Sequence, residues 1–327
     1  MPFCQRRADT KSVTPMITTE DQISGTHPPE SLPPKPPTKT SAIPGWVRVI
    51  ILIPMFFVVI GVFEILGSLA LGISIFDVGG DRSVPQMTVL QAFNFAGTTL
   101  LLYFMMRAID WEPFINLGFH AKGRRPDVFI GIIAGLIFMV GGFAVLQATG
   151  YLTVERYVFD FGELMWLLVL FVFVAFSEEM LLRGYVLKNL MLSMNKFVAL
   201  VVSSFMFSIL HALNPNFTWF SFVSLFLAGI ALGITYIYTK NLWFPIAFHF
   251  SWNFFQSIMG FNVSGIDMYS MVETTPSMEN PKISGGAFGL EGSVIALAFE
   301  VMVIVCAVVY FERKKRKPAA SNGFKAV

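Results

Sequence analysis

The stretch LMWLLVLFVFVAFSEEMLLR, Leu164 to Arg183, decides how this chain is read. From Leu164 to Phe176 the side chains are strongly apolar apart from Ala175, and then come Ser177, Glu178, Glu179 and, four residues after the second acid, Arg183. An apolar run of about 20 residues is what a membrane-spanning helix needs. Inside such a run an ionisable side chain without a partner costs several kcal/mol, so it is a functional-site candidate by default. On a helix, residues four apart share a face, with an acid N-terminal to a base being the favourable order. Glu179 and Arg183 can therefore pair. Glu178 lies about 100° further round, is not offered that partner, and is free to face a cavity and take a proton.

The rest of the chain agrees with a membrane setting. Of 327 residues, 55% are hydrophobic and only 13% are charged, against about 25% charged in soluble domains. Eight apolar segments follow one another at about 47–76, 89–106, 128–149, 164–188, 197–213, 218–239, 243–260 and 292–311. The fifth and seventh are short. The expected fold class is all-α, a polytopic membrane protein with about eight transmembrane helices around an intramembrane polar cavity.

Charge sets the expected orientation. With both ends in the cytoplasm, twenty Lys and Arg fall inside, and only Arg82, Arg156 and Lys282 fall outside, which satisfies the positive-inside rule. The cluster Arg313-Lys314-Lys315-Arg316-Lys317 reads as a stop-transfer anchor. Residues 1–45 contain Pro28-Pro29-Glu30-Ser31-Leu32-Pro33-Pro34-Lys35-Pro36-Pro37, which cannot build a core and favours solvated, extended backbone. The two cysteines, Cys4 and Cys306, suggest neither a disulfide framework nor a metal motif. Two GxxxG spacings, Gly131/Gly135 and Gly229/Gly233, are assigned to close helix packing.

Two further polar groups interrupt the later apolar segments. Phe207-Ser208-Ile209-Leu210-His211 puts Phe207 and His211 on one face, Phe207 packing against the ring and helping to dry it, and Asn214-Pro215-Asn216 ends the helix soon after. Phe248-His249-Phe250-Ser251-Trp252-Asn253 again places two polar residues four apart, a pair that can donate hydrogen bonds to a developing oxyanion.

The ordered set Glu178-Glu179…Arg183, Phe207…His211 and His249…Asn253 resembles the CPBP family of intramembrane proteases, which contains type II CAAX prenyl endopeptidases, bacteriocin-processing and immunity proteins and proteins similar to lysostaphin resistance protein A. The flanking Arg183-Gly184-Tyr185 and Leu242-Trp243-Phe244-Pro245 are similar too, and Gly285-Gly286-Ala287-Phe288-Gly289-Leu290-Glu291-Gly292 resembles a loop common in bacterial members. The resemblance implies a protease domain over 125–312, preceded by two helices and a loop over 46–124 and followed by a basic cytoplasmic tail over 313–327. It implies Glu178 as general base assisted by His211, His249 and Asn253 as the oxyanion site, and Glu179 with Arg183 as the support. Glu178, His211 and His249 are also the candidate ligands for Zn2+ or another divalent metal, a set of two His and one Glu that leaves a position open. Metal-free, glutamate-activated water is the alternative.

The expected function is hydrolysis of a peptide bond in a membrane-bound or lipidated peptide or protein. The expected place is a bacterial cytoplasmic membrane, the bilayer itself being a partner and nucleic acid not. A proton- or ion-coupled transporter is the competing reading, because buried Glu and His also relay protons; a non-catalytic immunity protein is a third. The eight-span count raises one geometric problem. It places Glu178 and His249 in the cytoplasmic half but His211 nearer the far side, so a tilted or displaced helix is needed to bring the three together.

Overall fold

The computed structural model describes residues 41–75 and 82–316. The proline-rich run, Cys4 and the basic tail from Lys317 lie outside the described residues. Among the described residues eight principal helices stand where the apolar segments predicted them: α1 Gly45–Leu71, α2 Val84–Phe104, α3 Arg125–Ala148, α4 Phe161–Glu179, α5 Lys196–Leu210, α6 Trp219–Thr239, α7 Trp243–Ile258 and α8 Val294–Arg316. Two of them run on through π-helical turns, α2 through Met105–Asp110 and α4 through Met180–Leu187 into Lys188–Leu190.

Among the described residues six rods are long and apolar enough to cross a membrane, and α5 and α7 are not among them. At 1.5 Å per residue those two are about 22–24 Å long, short of a hydrocarbon layer of about 30 Å. The eight expected spans therefore become six full-length rods and two short ones, and the short ones carry His211, His249 and Asn253. Large apolar side chains on the outer faces are exposed, among them Phe57, Val58, Leu69, Phe129 and Ile137. That surface suits lipid, and the chain is an integral membrane protein.

The principal packing pairs are α3 with α7, α5 with α6, α2 with α4, α1 with α2, and α6 with α8. The GxxxG glycines make the first two possible. A Cβ on Gly131 would stand 2.9 Å from Ala247 Cβ, and one on Gly135 would stand 2.6 Å from Ser251 Oγ. On α6, a Cβ on Gly229 would meet Ser204 Cα at 2.9 Å and one on Gly233 would meet Leu200 Cδ1 at 2.5 Å. Both motifs thus press a short helix against a long one. Serine hydroxyls complete the joints: Ser251 donates to the Ile132 carbonyl at 2.6 Å and Ser208 to the Phe222 carbonyl at 2.7 Å.

The first two helices are tied on by charge. Arg48 of α1 reaches Asp110 at 3.3 Å and donates to Asn189 Oδ1 at 3.1 Å, while Tyr185 and Asn189 donate to the two Asp110 oxygens. All four residues are buried.

One element lies outside the apolar segments. Leu152–Tyr157 (β1) pairs antiparallel with Val272–Pro276 (β2), joining the α3–α4 connection to the segment after α7. The β-branched residues Thr153, Val154, Val272, Thr274 and Thr275 suit strands, but two short strands so far apart in the chain leave little periodicity to detect. Arg156 grips Glu273 with two 2.8 Å bonds, which hold that carboxyl below its ordinary range.

Gly135→Val is expected to lower the melting temperature of the detergent-purified protein by several degrees, since overpacking of this kind costs about 1–3 kcal/mol. Gly141→Val is the control, because a Cβ there meets nothing within 4 Å. Equal melting of the two variants in thermal unfolding would contradict the packing role.

Candidate active site

Glu179 and Arg183 are both buried and pair at 2.9 Å, as their spacing predicted. The π-helical turn after Glu179 does not break the pairing. The remaining donors of Arg183 are also directed: Nη2 donates to the Gly229 carbonyl at 3.3 Å, and the guanidinium lies over the Phe207 ring at 4.5 Å. Gly229 therefore serves twice, its absent Cβ letting α6 approach α5 and its carbonyl accepting from the arginine.

The same Glu179 oxygen, Oε1, accepts a second bond from His249 Nδ1 at 2.8 Å. A carboxylate accepts only, so Nδ1 carries the proton, and Nε2 of the neutral ring is a lone pair. His211 arrives at the same state by another route. Its Nδ1 lies 2.8 Å from the Phe207 carbonyl, another group that only accepts, so its Nε2 is also the free nitrogen. Both Nε2 atoms lie 3.9 Å from Glu178 Oε2. That oxygen is buried and makes no hydrogen bond to protein. Phe207 packs its ring on both imidazoles, with centroids 4.8 Å from His211 and 6.2 Å from His249.

The depth problem has a simple answer. The rod begun by α4 continues to Leu190, so Glu178 lies about 18 Å before its end, and His211 lies about 22 Å after Lys196. The two rods are joined by the short Met191–Asn195 connection, so the residues stand at nearly equal height. His249 comes only about 9 Å into α7, whose start is tied to the connection between α2 and α3. Leu242 N–H bonds the Gly118 carbonyl at 3.0 Å, and Asn241 bonds the His120 carbonyl at 2.8 Å. The connection between α2 and α3 is thus folded against the first turn of α7.

A cavity of about 420 Å³ joins these groups. Glu178, His211, His249 and Asn253 line it, and Glu179 and Arg183 stand behind His249. Its walls are wider than the expected three helices. Phe56 and Phe57 come from α1, Gln91 from α2, Leu225 and Ala228 from α6, Ser264 and Glu291 from the segment between α7 and α8, and Glu300 from α8. Glu300 is a single acid in the apolar run Val294–Phe311 and could have been singled out by the reasoning applied to Glu178. Glu291 was quoted only as part of the glycine-rich loop, and its inward placement follows from backbone that no local pattern reveals. Gly289 has φ +108°, and a Cβ there would stand 1.9 Å from the Asn262 carbonyl oxygen.

The donor chemistry of Glu178, His211 and His249 suits zinc, but the spacing is wide. Ligands about 2.0–2.1 Å from a tetrahedral zinc stand roughly 3.3 Å apart, less than the 3.9 Å found here. Among the described residues no group of three or more His, Cys, Asp or Glu side chains is arranged to hold a metal ion. An oxygen atom about 2.8 Å from Glu178 Oε2 can reach either Nε2 at hydrogen-bond distance, so a water molecule fits this spacing better than a metal does.

Residues 160–255 match the family model for type II CAAX prenyl endopeptidases, Rce1-like. The match runs from the turn before α4 into α7 and takes in all three motifs. The match supports the CPBP/CAAX protease family and, as a broad class, a membrane protease. Neither a curated protein nor a solved structure matches the chain.

The buried pair and the cavity acid should behave differently on substitution. Removing one partner of a buried ion pair costs about 3–5 kcal/mol, so Arg183→Met and Glu179→Ala are expected to lower melting temperature and membrane yield sharply. Glu178→Gln should melt within a few degrees of the unsubstituted protein. Loss of Arg183 without thermal consequence would contradict the supporting role.

Proposed function

We propose that the protein hydrolyses a peptide bond of a membrane-associated or lipidated peptide with a water molecule activated by Glu178. The observation that carries this reading is the convergence of the unpartnered Glu178 oxygen and two imidazole Nε2 atoms at 3.9 Å in one partly enclosed cavity. A water set there has two O–H bonds and two acceptors, Glu178 Oε2 and His211 Nε2. Its remaining lone pair is then directed at a carbonyl carbon.

Attack forms the carbon–oxygen bond as Glu178 takes the water's proton, and the carbonyl oxygen gains negative charge. Asn253 stands one helical turn beyond His249, lines the same cavity, and makes no side-chain hydrogen bond to the described residues. Its amide N–H is the proposed donor to that oxygen, with His249 beside it. Collapse breaks the carbon–nitrogen bond, and the proton held by Glu178 passes to the leaving amine. No step calls for a metal.

Phe56, Phe57, Ile60, Phe171 and Leu225 make much of the wall apolar, which supports a substrate that is itself lipid-linked or membrane-embedded. The excess of Lys and Arg on one set of connections supports both ends facing the cytoplasm.

With the purified protein in lipid vesicles and a membrane-anchored peptide, Glu178→Gln and His211→Ala should each lower kcat/KM by about 100-fold or more. Asn253→Ala should lower kcat about 100-fold with little change in KM. Rates within threefold of the unsubstituted protein in either of the first two variants would sink the mechanism. Chelation by 1,10-phenanthroline should leave the rate within about twofold, and a loss reversed by added zinc would show that the residues close on a metal in solution.

A further inference from the structure

Glu300 has no use in the reaction as derived, yet it lines the same cavity. It is 1% exposed, and neither of its carboxylate oxygens has a hydrogen-bond partner. Ser224 on α6 lies beside it, but that hydroxyl donates to the backbone carbonyl of Glu291. Glu291 is buried too, close enough to Glu300 for the two charges to interact, and its Oε1 accepts the Ser264 N–H. Burial pushes the Glu291 carboxyl up, against the pull of the Ser264 bond and of His211 and His249.

Charge in this cavity is unbalanced. Three carboxyl groups line it, Glu178, Glu291 and Glu300, and no Lys or Arg does among the described residues. The nearest guanidinium, Arg183, is occupied by Glu179, the Gly229 carbonyl and the Phe207 ring. A buried carboxyl without partner or charge is costly, and persists most readily where something else completes it.

We propose that Glu300, with Glu291 beside it, forms a subsite for a cationic group of the substrate, either a basic side chain or a free amino terminus. The group would enter through the apolar part of the cavity and give Glu300 the ionic hydrogen bonds that the protein does not supply. This rests on the protease reading for its biological meaning, but the subsite can be tested apart from hydrolysis. The rival use of Glu300 is as a protonated acid serving the leaving amine.

The first arm measures equilibrium binding of dodecylamine and dodecanol to the full-length protein in non-ionic detergent. The unsubstituted protein and Glu178→Gln should both bind the amine about tenfold or more tightly than the alcohol. Glu300→Gln should bring the two within about twofold, and Glu291→Gln should fall between, with all variants monodisperse and equally yielded. Equal binding of amine and alcohol by the unsubstituted protein overturns the subsite. So does a preference that survives Glu300→Gln but disappears in Glu178→Gln.

The second arm compares kcat/KM for membrane-anchored peptides in which Lys is exchanged for norleucine at successive positions, with and without an acetylated amino terminus. A penalty for norleucine assigns the subsite to a side chain, and a penalty for acetylation assigns it to the terminus. Either penalty should vanish in Glu300→Gln. An equal loss on every peptide in that variant supports the acid role instead and overturns the proposal. Amine binding without cleavage of any peptide would leave the subsite standing and remove the protease reading, whereas cleavage indifferent to positive charge would do the reverse.

Discussion

One carboxylate oxygen organises this molecule. Glu179 Oε1 accepts Arg183 from its own helix and His249 from α7, and so joins two helices at the centre of the bundle. Burial makes the arrangement all-or-none, because removal of either partner leaves a charge in a medium that stabilises it poorly. The chemical consequence is equally definite. By accepting the Nδ1–H of His249, Glu179 turns the other nitrogen toward Glu178. The Phe207 carbonyl does the same for His211. Two different acceptors thus give two imidazoles the same tautomer and aim them at one carboxylate.

The short helices explain why the site lies inside the bundle. A helix that spans the whole layer presents its termini to water, whereas α5 and α7, of 15 and 16 residues, are too short to do so. His211 occupies the turn that ends α5, where its backbone N–H bonds Ser208 and its ring reaches back to Phe207. The glycines of α3 and α6 then hold each short helix at backbone-contact distance from a long neighbour. Close packing of helices without large apolar side chains between them is the expected means of association in lipid.

Most of this was legible in the sequence because it is local. The Glu179–Arg183 pair, the Phe207–His211 face and the GxxxG contacts all depend on spacing along a single helix, and each is present as read. The tautomers and the equal depth of Glu178 and His211 were not legible, since they depend on which helix neighbours which and on how far α4 continues past its π-helical turn. The β1–β2 pair was missed because its strands are separated by more than a hundred residues and carry only short patterns. Glu291 was hidden by loop backbone held open at Gly289. Glu300 was visible and was passed over, although it is an acid in an apolar run of the same kind that drew attention to Glu178.

The most direct test of the account is a comparison of newly formed protein termini in membranes from cells making the unsubstituted protein and cells making Glu178→Gln at equal levels. The account predicts a set of termini present only with the unsubstituted protein, arising in membrane-associated or lipid-linked chains. Identical sets from the two would contradict peptide-bond hydrolysis as the function of this site.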